Sequence, residues 1–186
     1  MRTSTRRAET PAAPGAGSSG RREETYECEL GVGRLLLAGD LPLEHDLPAA
    51  GRTSLPAAGE PSRWAWLLTR YFAGEPVRFG LDVDAYADAL GFTDFERDVY
   101  AALAAVPYGE VVSYRDLAAA AGRPRAFRAA GSAIARNLLP VILPCHRVIR
   151  NDGRLGLYGD DPAWKARLLQ LEGARVRAGR VTEEGA

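Results

Sequence analysis

Residues 107–136 read PYGEVVSYRDLAAAAGRPRAFRAAGSAIAR, and this stretch predicts two short helices joined by a tight turn. Ser113 can cap a first helix that runs to about Ala121, and Gly122-Arg123-Pro124 then breaks that helix. The second helix is predicted over residues 125–136 and carries mostly small side chains. Two short helices with a glycine turn are typical of a helix-turn-helix, although many such hairpins bind nothing. A helix this bare packs closely on protein or approaches another backbone.

Helical signals continue on both sides of this unit. Thr93-x-x-Glu96 is a capping box, and apolar residues follow it at helical spacing. Asp161 followed by Pro162 predicts the start of a last helix, which runs to Glu172. The region around the quoted stretch is therefore expected to be mainly helical.

The N-terminal half carries strand signals instead. Residues 25–30 alternate polar and apolar side chains as a half-buried strand does, residues 31–33 read as a turn, and residues 34–38 read as a second strand. Proline and glycine give residues 39–61 an irregular pattern, and residues 62–72 predict a helix.

These patterns predict an α+β fold. A small strand-containing N-terminal domain precedes a helical C-terminal domain with a helix-turn-helix, winged-helix-like unit. The first residues have the composition of a disordered tail and lack the apolar stretch of a secretory signal, so we expect a reducing, intracellular compartment. The predicted boundaries are a disordered tail over 1–24, an α/β domain over 25–90, a C-terminal domain over 91–174 and a flexible tail over 175–186.

Composition narrows the class of protein further. The chain has 186 residues, of which 46% are apolar and 26% charged, so it can bury a core and is not disordered as a whole. Its uncharged stretches are far shorter than a membrane span. Two cysteines and two histidines exclude a disulfide scaffold and a zinc cluster. Residues 21–100 carry 8 arginines and 15 acidic residues, whereas residues 101–160 carry 8 arginines and 4 acidic residues, which weakly indicates a local surface for an anionic ligand.

Cys145 has unusual neighbours for a core cysteine. The apolar residues on both sides of it read as buried extended backbone, where a cysteine is usually inert. Pro144, His146 and Arg147 do not fit that interpretation, because an adjacent imidazole can take the proton of a thiol whose ordinary pKa is about 8.5. The spacing alone leaves a reactive and an inert cysteine equally open.

Several short motifs follow one another between about residues 92 and 174. They are Pro144-Cys145-His146-Arg147-Val148, the PYGEVVSY of residues 107–114, Arg128-Ala129-Ala130-Gly131, Arg136-Asn137-x-x-Pro140, Asp152-Gly153, Gly156-x-Tyr158 and Leu168-Leu169-x-x-Glu172-Gly173. In order and spacing they resemble the O6-alkylguanine-DNA alkyltransferases, also called methylated-DNA–protein-cysteine methyltransferases. The N-terminal region matches that family only in outline.

The resemblance implies a role for each matching residue. Cys145 would accept the alkyl group from O6 of guanine, His146 would act through a bound water as its base, and Glu172 would orient the imidazole. Tyr114 would assist the departing guanine, and Asn137 would link the recognition helix to the active-site segment. The other implied residues are the DNA-binding Arg128, which would enter the base stack, with Ala129, Gly131, Ser113, Tyr114 and Arg136, and the base-pocket residues Pro140, Val148, Tyr158 and Gly159.

The implied activity is DNA repair by a single-turnover methylated-DNA–protein-cysteine S-methyltransferase, whose acceptor cysteine is irreversibly alkylated. General chemistry agrees, because the alkyl carbon of a neutral ether needs a soft thiolate nucleophile and the target base must be flipped out of the duplex. The implied partner is alkylated double-stranded DNA, bound by a monomer without a cofactor, a metal or a membrane. The expected location is the cytoplasm, with the nucleoid if the source is bacterial.

Two other functions remain open. An alkyltransferase-like protein recognises damage without chemistry, but such proteins lack the acceptor that Cys145 provides. A cysteine hydrolase could use Cys145, His146 and Glu172, and it would turn over repeatedly. The chain also departs from the family after the pocket tyrosine, where Gly159-Asp160-Asp161 stands in place of the family's further glycines.

Overall fold

The computed structural model describes residues 20–56, 59–159, 161 and 163–182. Most of the predicted disordered tail, over residues 1–19, lies outside the described residues. So do Asp160, Pro162 and residues 183–186.

Three antiparallel strands form the N-terminal sheet in the order β1-β2-β3, with β1 at Arg21–Cys28, β2 at Gly31–Ala38 and β3 at Leu41–Ala49. Side chains alternate along β2, so that Leu35 and Leu37 are fully buried in the core. The prediction of a turn at residues 31–33 is wrong, since the turn ends earlier and these residues already pair with β1.

The sheet begins earlier and has one strand more than predicted. β1 starts at Arg21 and not at Thr25, because residues 21–24 pair with the far end of β2 and the Glu24 carboxylate accepts from the backbone N–H of Ser62 at 3.3 Å. β3 lies in the segment that was expected to be irregular. Its prolines are tolerated because β3 is an edge strand, where a missing N–H removes no bond from the sheet interior.

The helices largely follow the predictions. The capping box of Thr93 and Glu96 is confirmed, and Ser113 caps its helix by accepting from the Asp116 N–H at 3.1 Å. The helix expected over residues 125–136 is shorter at both ends, and one helix was not predicted. The described helices are α1 (Arg63–Phe72), the unpredicted α2 (Val83–Leu90), α3 (Asp94–Ala104), α4 (Tyr114–Ala120), α5 (Phe127–Ile134) and α6 (Ala163–Leu171).

The predicted flexible C-terminal tail is wrong over residues 175–182. Two short strands, β6 at Arg175–Arg177 and β7 at Arg180–Thr182, pair as a hairpin. Val176 and Val181 pack against a small buried cluster, and this burial stabilises the hairpin. The remaining pair of strands is parallel and joins β4 (Val112–Ser113) to β5 (Val148–Ile149).

The α+β prediction is confirmed, with the sheet at the N-terminus and the helices after it. One continuous apolar core joins both parts, from Leu35 in β2 through Leu68 in α1 to Leu168 in α6. Within the described ranges, no helix is long and apolar enough to cross a membrane.

Candidate active site

The backbone turns twice just before Cys145. Val141 has a φ of 75°, in the left-handed region that β-branched residues rarely adopt. Pro144, at φ −81° and ψ 59°, forms an inverse γ-turn, and the Cys145 N–H donates to the Leu143 carbonyl at 2.8 Å. Cys145–Arg147 continue as a short 3-10 turn. The prediction of extended backbone before Cys145 is therefore wrong, because these local hydrogen bonds and the fixed φ of proline bend the chain.

The Cys145 thiol faces a cavity of about 560 Å³, which is the size of a small-molecule site. Asn137 Nδ2 donates to Sγ at 3.1 Å and to the Leu143 carbonyl at 2.9 Å. Burial raises the pKa of the thiol, and the Asn137 hydrogen bond and the nearby Lys165 act in the opposite direction. The thiol is therefore sheltered but has donors that favour its anion.

The Glu172 carboxylate lies behind Cys145 and is the centre of a buried hydrogen-bond network. Arg147 donates to it twice at 2.9 Å, the Tyr71 hydroxyl once at 2.7 Å and the Gly109 N–H once at 3.1 Å. Burial alone would raise the pKa of this carboxyl. The donors from His146 and Arg147 outweigh burial and lower it to about 2. Glu172 is therefore ionised at neutral pH.

His146 is held in one tautomer by this carboxylate. Its Nε2 lies 2.7 Å from Glu172 Oε1, and an ionised carboxylate only accepts, so Nε2 carries the proton. Burial lowers the pKa of the imidazole against the influence of Glu172, so the ring is neutral. The other nitrogen, Nδ1, is buried and has no hydrogen-bond partner among the described residues. It is thus an unprotonated nitrogen beside the nucleophile's residue.

Lys165 lies in the wall of the cavity and is almost fully buried. Its Nζ donates to the Val148 carbonyl at 2.6 Å and lies 5.9 Å from the centre of the Tyr114 ring. Burial lowers the pKa of the ammonium to about 8, and the Cys145 thiol raises it. The site therefore holds a cation near the Cys145 sulfur.

A second groove, of about 810 Å³, adjoins the cavity on its outer side. It is lined by α5 residues together with Arg150 and Leu157, and Leu157 is 86% exposed. Arg128 is exposed at its edge, with its guanidinium 5.7 Å from the centre of the Phe127 ring. Tyr114 and Leu157 are among the residues that line both spaces, so the groove adjoins the cavity that the thiol faces.

The structure brings together most of the predicted site residues. His146 and Glu172 form the network behind the thiol, and Arg128 lines the outer groove. The predicted residues that line the cavity itself are Tyr114, Gly131, Asn137, Pro140, Cys145, Tyr158 and Gly159.

Besides His146 and Glu172, four predicted residues line neither space in the described part of the chain. Val148 is fully buried in the core and reaches the site only through its carbonyl, so its side chain does not wall the pocket. Arg136 is ion-paired with Glu96, and the Ser113 hydroxyl caps α4. Ala129 is exposed on α5 but lies outside the lining of either space.

Sequence reasoning missed Tyr71 and Lys165. Lys165 had a signal, because it is the only lysine of the chain. The bond from Tyr71 to Glu172 had none, since the two residues are 101 positions apart in the sequence. Arg147 was noted only as a neighbour of Cys145, and its two bonds to Glu172 became visible only in the fold.

This arrangement can perform nucleophilic chemistry in a partly water-excluded cavity. It offers one soft nucleophile, a neutral imidazole nitrogen that can accept a proton, and an ionised carboxylate that stabilises the imidazole when it is charged. The Tyr114 hydroxyl can donate to a leaving group, because burial raises its pKa and keeps it protonated.

Comparison with known proteins places the chain in one family. Residues 94–174 match the family model described as the 6-O-methylguanine DNA methyltransferase, DNA binding domain. A methylated-DNA–protein-cysteine methyltransferase of Mycobacterium leprae is 38% identical over 157 residues, covering 78% of this chain and 89% of that protein. The crystal structure of the Mycobacterium tuberculosis O6-methylguanine methyltransferase matches with a TM-score of 0.67 at 34% identity, covering 85% of this chain and 96% of that one.

A second crystal structure contains a relative of this chain bound to DNA. It is that of the M. tuberculosis protein in complex with DNA, and it matches with a TM-score of 0.64 at 33% identity, covering 81% of this chain and 92% of that one. The extent and identity of these matches agree with the resemblance seen in the motifs around Cys145. This chain belongs to the family of methylated-DNA–protein-cysteine methyltransferases.

Proposed function

We propose that this protein repairs DNA by transferring an alkyl group, in the simplest case methyl, from O6 of guanine to Sγ of Cys145. The observation that carries the proposal is the Cys145 thiol, which faces a cavity and accepts a hydrogen bond from Asn137. The Sγ–carbon bond forms as the carbon–O6 bond breaks, and the electron pair leaves with guanine. The product is a thioether, which no group among the described residues of the site can reverse, so each protein molecule acts once.

Proton transfers accompany this step. His146 takes the thiol proton through a bound water at the free Nδ1, and Glu172 stabilises the resulting imidazolium through Nε2. The departing guanine gains hydrogen bonding from Tyr114, whose ring is packed so that a Cβ on Gly131 would lie 3.3 Å from it. The Lys165 ammonium favours the thiolate over the thiol.

DNA is the partner that this site requires, and the DNA complex of the M. tuberculosis relative supports it. We propose that α5 enters the minor groove with its small side chains against the backbone, and that Arg128 fills the gap left by the flipped nucleotide. The protein acts on alkylated double-stranded DNA as a monomer, in the cytoplasm or on the nucleoid. Residues 91–174 carry the chemistry, and residues 25–90 form a supporting domain.

The decisive test is the stoichiometry of the reaction. Incubation with a duplex that carries one O6-methylguanine should give product up to one equivalent per protein and then stop, because the acceptor is consumed. Intact-mass analysis should show the gain of one methylene, and peptide mapping should place it on Cys145 and not on Cys28. Turnover beyond one equivalent would indicate a hydrolase or another catalytic enzyme. Binding without a mass change would indicate the alkyltransferase-like alternative.

Arg128→Ala should slow repair in duplex DNA by at least about tenfold, or 1.4 kcal/mol of activation free energy. The reason is that base flipping costs a few kcal/mol, which the inserted guanidinium partly offsets. Reaction with the free base O6-methylguanine needs no flipping and should be almost unaffected. Single-turnover rates at saturating substrate measure both, with Arg125→Ala as a charge-matched control on the adjacent turn. Equal slowing on both substrates would remove Arg128 from this role.

A further inference from the structure

The edge strand β3 of the N-terminal sheet reaches the active-site turn. The backbone N–H of His45 donates to the Leu138 carbonyl at 2.8 Å, so the segment that precedes the nucleophile covers the open edge of the sheet. Leu47, two residues further along β3, lines the cavity that Cys145 faces. The mechanism proposed above assigns no task to this strand.

The His45 side chain forms a hydrogen-bonded link between the sheet and the turn. Its Nδ1 lies 2.6 Å from the Pro140 carbonyl oxygen, and its Nε2 lies 2.7 Å from the Tyr26 hydroxyl. A carbonyl oxygen only accepts, so Nδ1 carries the proton and Nε2 accepts from Tyr26. The ring is 3% exposed, and burial lowers its pKa to about 4 although the Pro140 carbonyl raises it. At neutral pH its single N–H is therefore committed to Pro140.

The hydrogen bond from His45 is made next to the residue of the turn whose backbone conformation is least favourable. The Pro140 carbonyl belongs to the peptide group that precedes Val141, whose φ is 75° and whose side chain is buried. A β-branched residue keeps this conformation only where its surroundings hold it there. The same turn places the Leu143 carbonyl, which accepts from the Cys145 N–H at 2.8 Å and from Asn137 at 2.9 Å. Movement at Val141 would therefore displace the nucleophile from its donor.

We propose that His45 is a positioning residue for Cys145. Its bond to the Pro140 carbonyl holds the Val141 turn closed, and the N-terminal domain acts on the reaction through this bond. The effect on rate rests on the alkyl transfer proposed above, whereas the effect on the turn does not.

Two substitutions of His45 distinguish the loss of its hydrogen bond to Pro140 from the loss of the volume of the imidazole ring. In His45→Asn the amide nitrogen can occupy the place of Nδ1 and still donate to Pro140. In His45→Gln the amide lies one atom further out, in the place of Nε2, where it can meet Tyr26 but not Pro140. Both variants lose the imidazole, so a merely structural role predicts similar effects for the two. Glu44→Gln, at a partly exposed position on the same strand, is the control.

Two measurements follow the bond and its consequence. Hydrogen–deuterium exchange of the segment 137–147 should be faster in His45→Gln than in His45→Asn, and unchanged in Glu44→Gln. Single-turnover transfer at saturating duplex should fall at least about tenfold in His45→Gln, because small misplacements of a reacting group have large effects on rate. His45→Asn should stay within about threefold of the parent rate, and the duplex affinity of both variants within about twofold.

The outcomes are separable. Exchange that is equal in the two His45 variants would overturn the role of the bond, whether or not the protein transfers alkyl groups. Faster exchange in His45→Gln at the parent transfer rate would overturn its role in positioning the thiol. A parent protein that transfers no alkyl group would overturn the proposed function, while the exchange comparison would still decide whether His45 holds the turn.

Discussion

Cys145→Ala is expected to reduce alkyl transfer from one equivalent per protein to none, while duplex binding persists. The thiolate is the only nucleophile in the cavity soft enough to attack an alkyl carbon, so nothing in the described site can replace it. Binding depends on phosphate contacts and base flipping, which do not use the sulfur. Mass analysis after exposure to O6-methylguanine duplex, and a binding titration with the same duplex, measure the two properties.

The matched control is Cys28→Ala. Cys28 is a partly buried strand residue whose thiol donates to the Gly31 carbonyl at 3.5 Å, and it does not line the cavity. Its removal should leave the transfer of one equivalent intact. Residual transfer in Cys145→Ala, located on Cys28 or elsewhere, would contradict the assignment of the acceptor.

Glu172→Gln is expected to lower the free energy of unfolding by about 3–5 kcal/mol, the typical cost of leaving a buried charge without its partner. The charge in question is Arg147, which is 5% exposed and donates twice to this carboxylate. The folded fraction of Glu172→Gln should also react more slowly than the parent protein, because His146 loses the carboxylate that fixes its tautomer. Urea unfolding at pH 7 and single-turnover kinetics test the two effects separately.

The stability difference between parent and Glu172→Gln should depend on pH. A carboxyl whose pKa is lowered in the fold contributes stability above its unfolded pKa of about 4.3, and this contribution is lost as the pH falls. For Glu172 the folded pKa is about 2, so the loss occurs between about pH 5 and pH 2. The difference should therefore be full at pH 7 and smaller at pH 3.

Glu110→Gln is the control, since Glu110 is exposed in the turn before β4. It should change stability by less than about 0.5 kcal/mol at either pH. A Glu172→Gln difference that stays constant from pH 7 to pH 3 would mean that the carboxylate's charge is not what stabilises the fold.

Local signals explain which parts of the fold the sequence could predict. The caps at Thr93 and Ser113 bond to residues three positions away, so the pattern and the contact lie in the same short stretch. β3 was missed because its prolines are acceptable only at a sheet edge, which is a tertiary property. The hairpin β6–β7 was missed because three-residue strands leave little periodicity and are stabilised by distant apolar residues.

The candidate site likewise contains some residues that a local motif indicated and others that only the fold revealed. The motif around Cys145 indicated the nucleophile and its neighbours through family resemblance. The bonds that set their protonation join Glu172 to Tyr71 and Arg147, which are 101 and 25 residues away. His45 likewise meets Pro140 across 95 residues of chain. No local pattern encodes such pairs, so these groups became identifiable only when the fold brought them together.

The buried Lys165 has a practical consequence. It carries the only ε-amine of the sequence, and its Nζ is held against the Val148 carbonyl. An acylating reagent that selects ε-amines therefore has one target, and it reaches that target only when the cavity wall opens. Mass spectrometry can follow the acylation of this single position. The rate of acylation therefore reports how often the cavity wall opens, and no dye, tag or engineered cysteine is required.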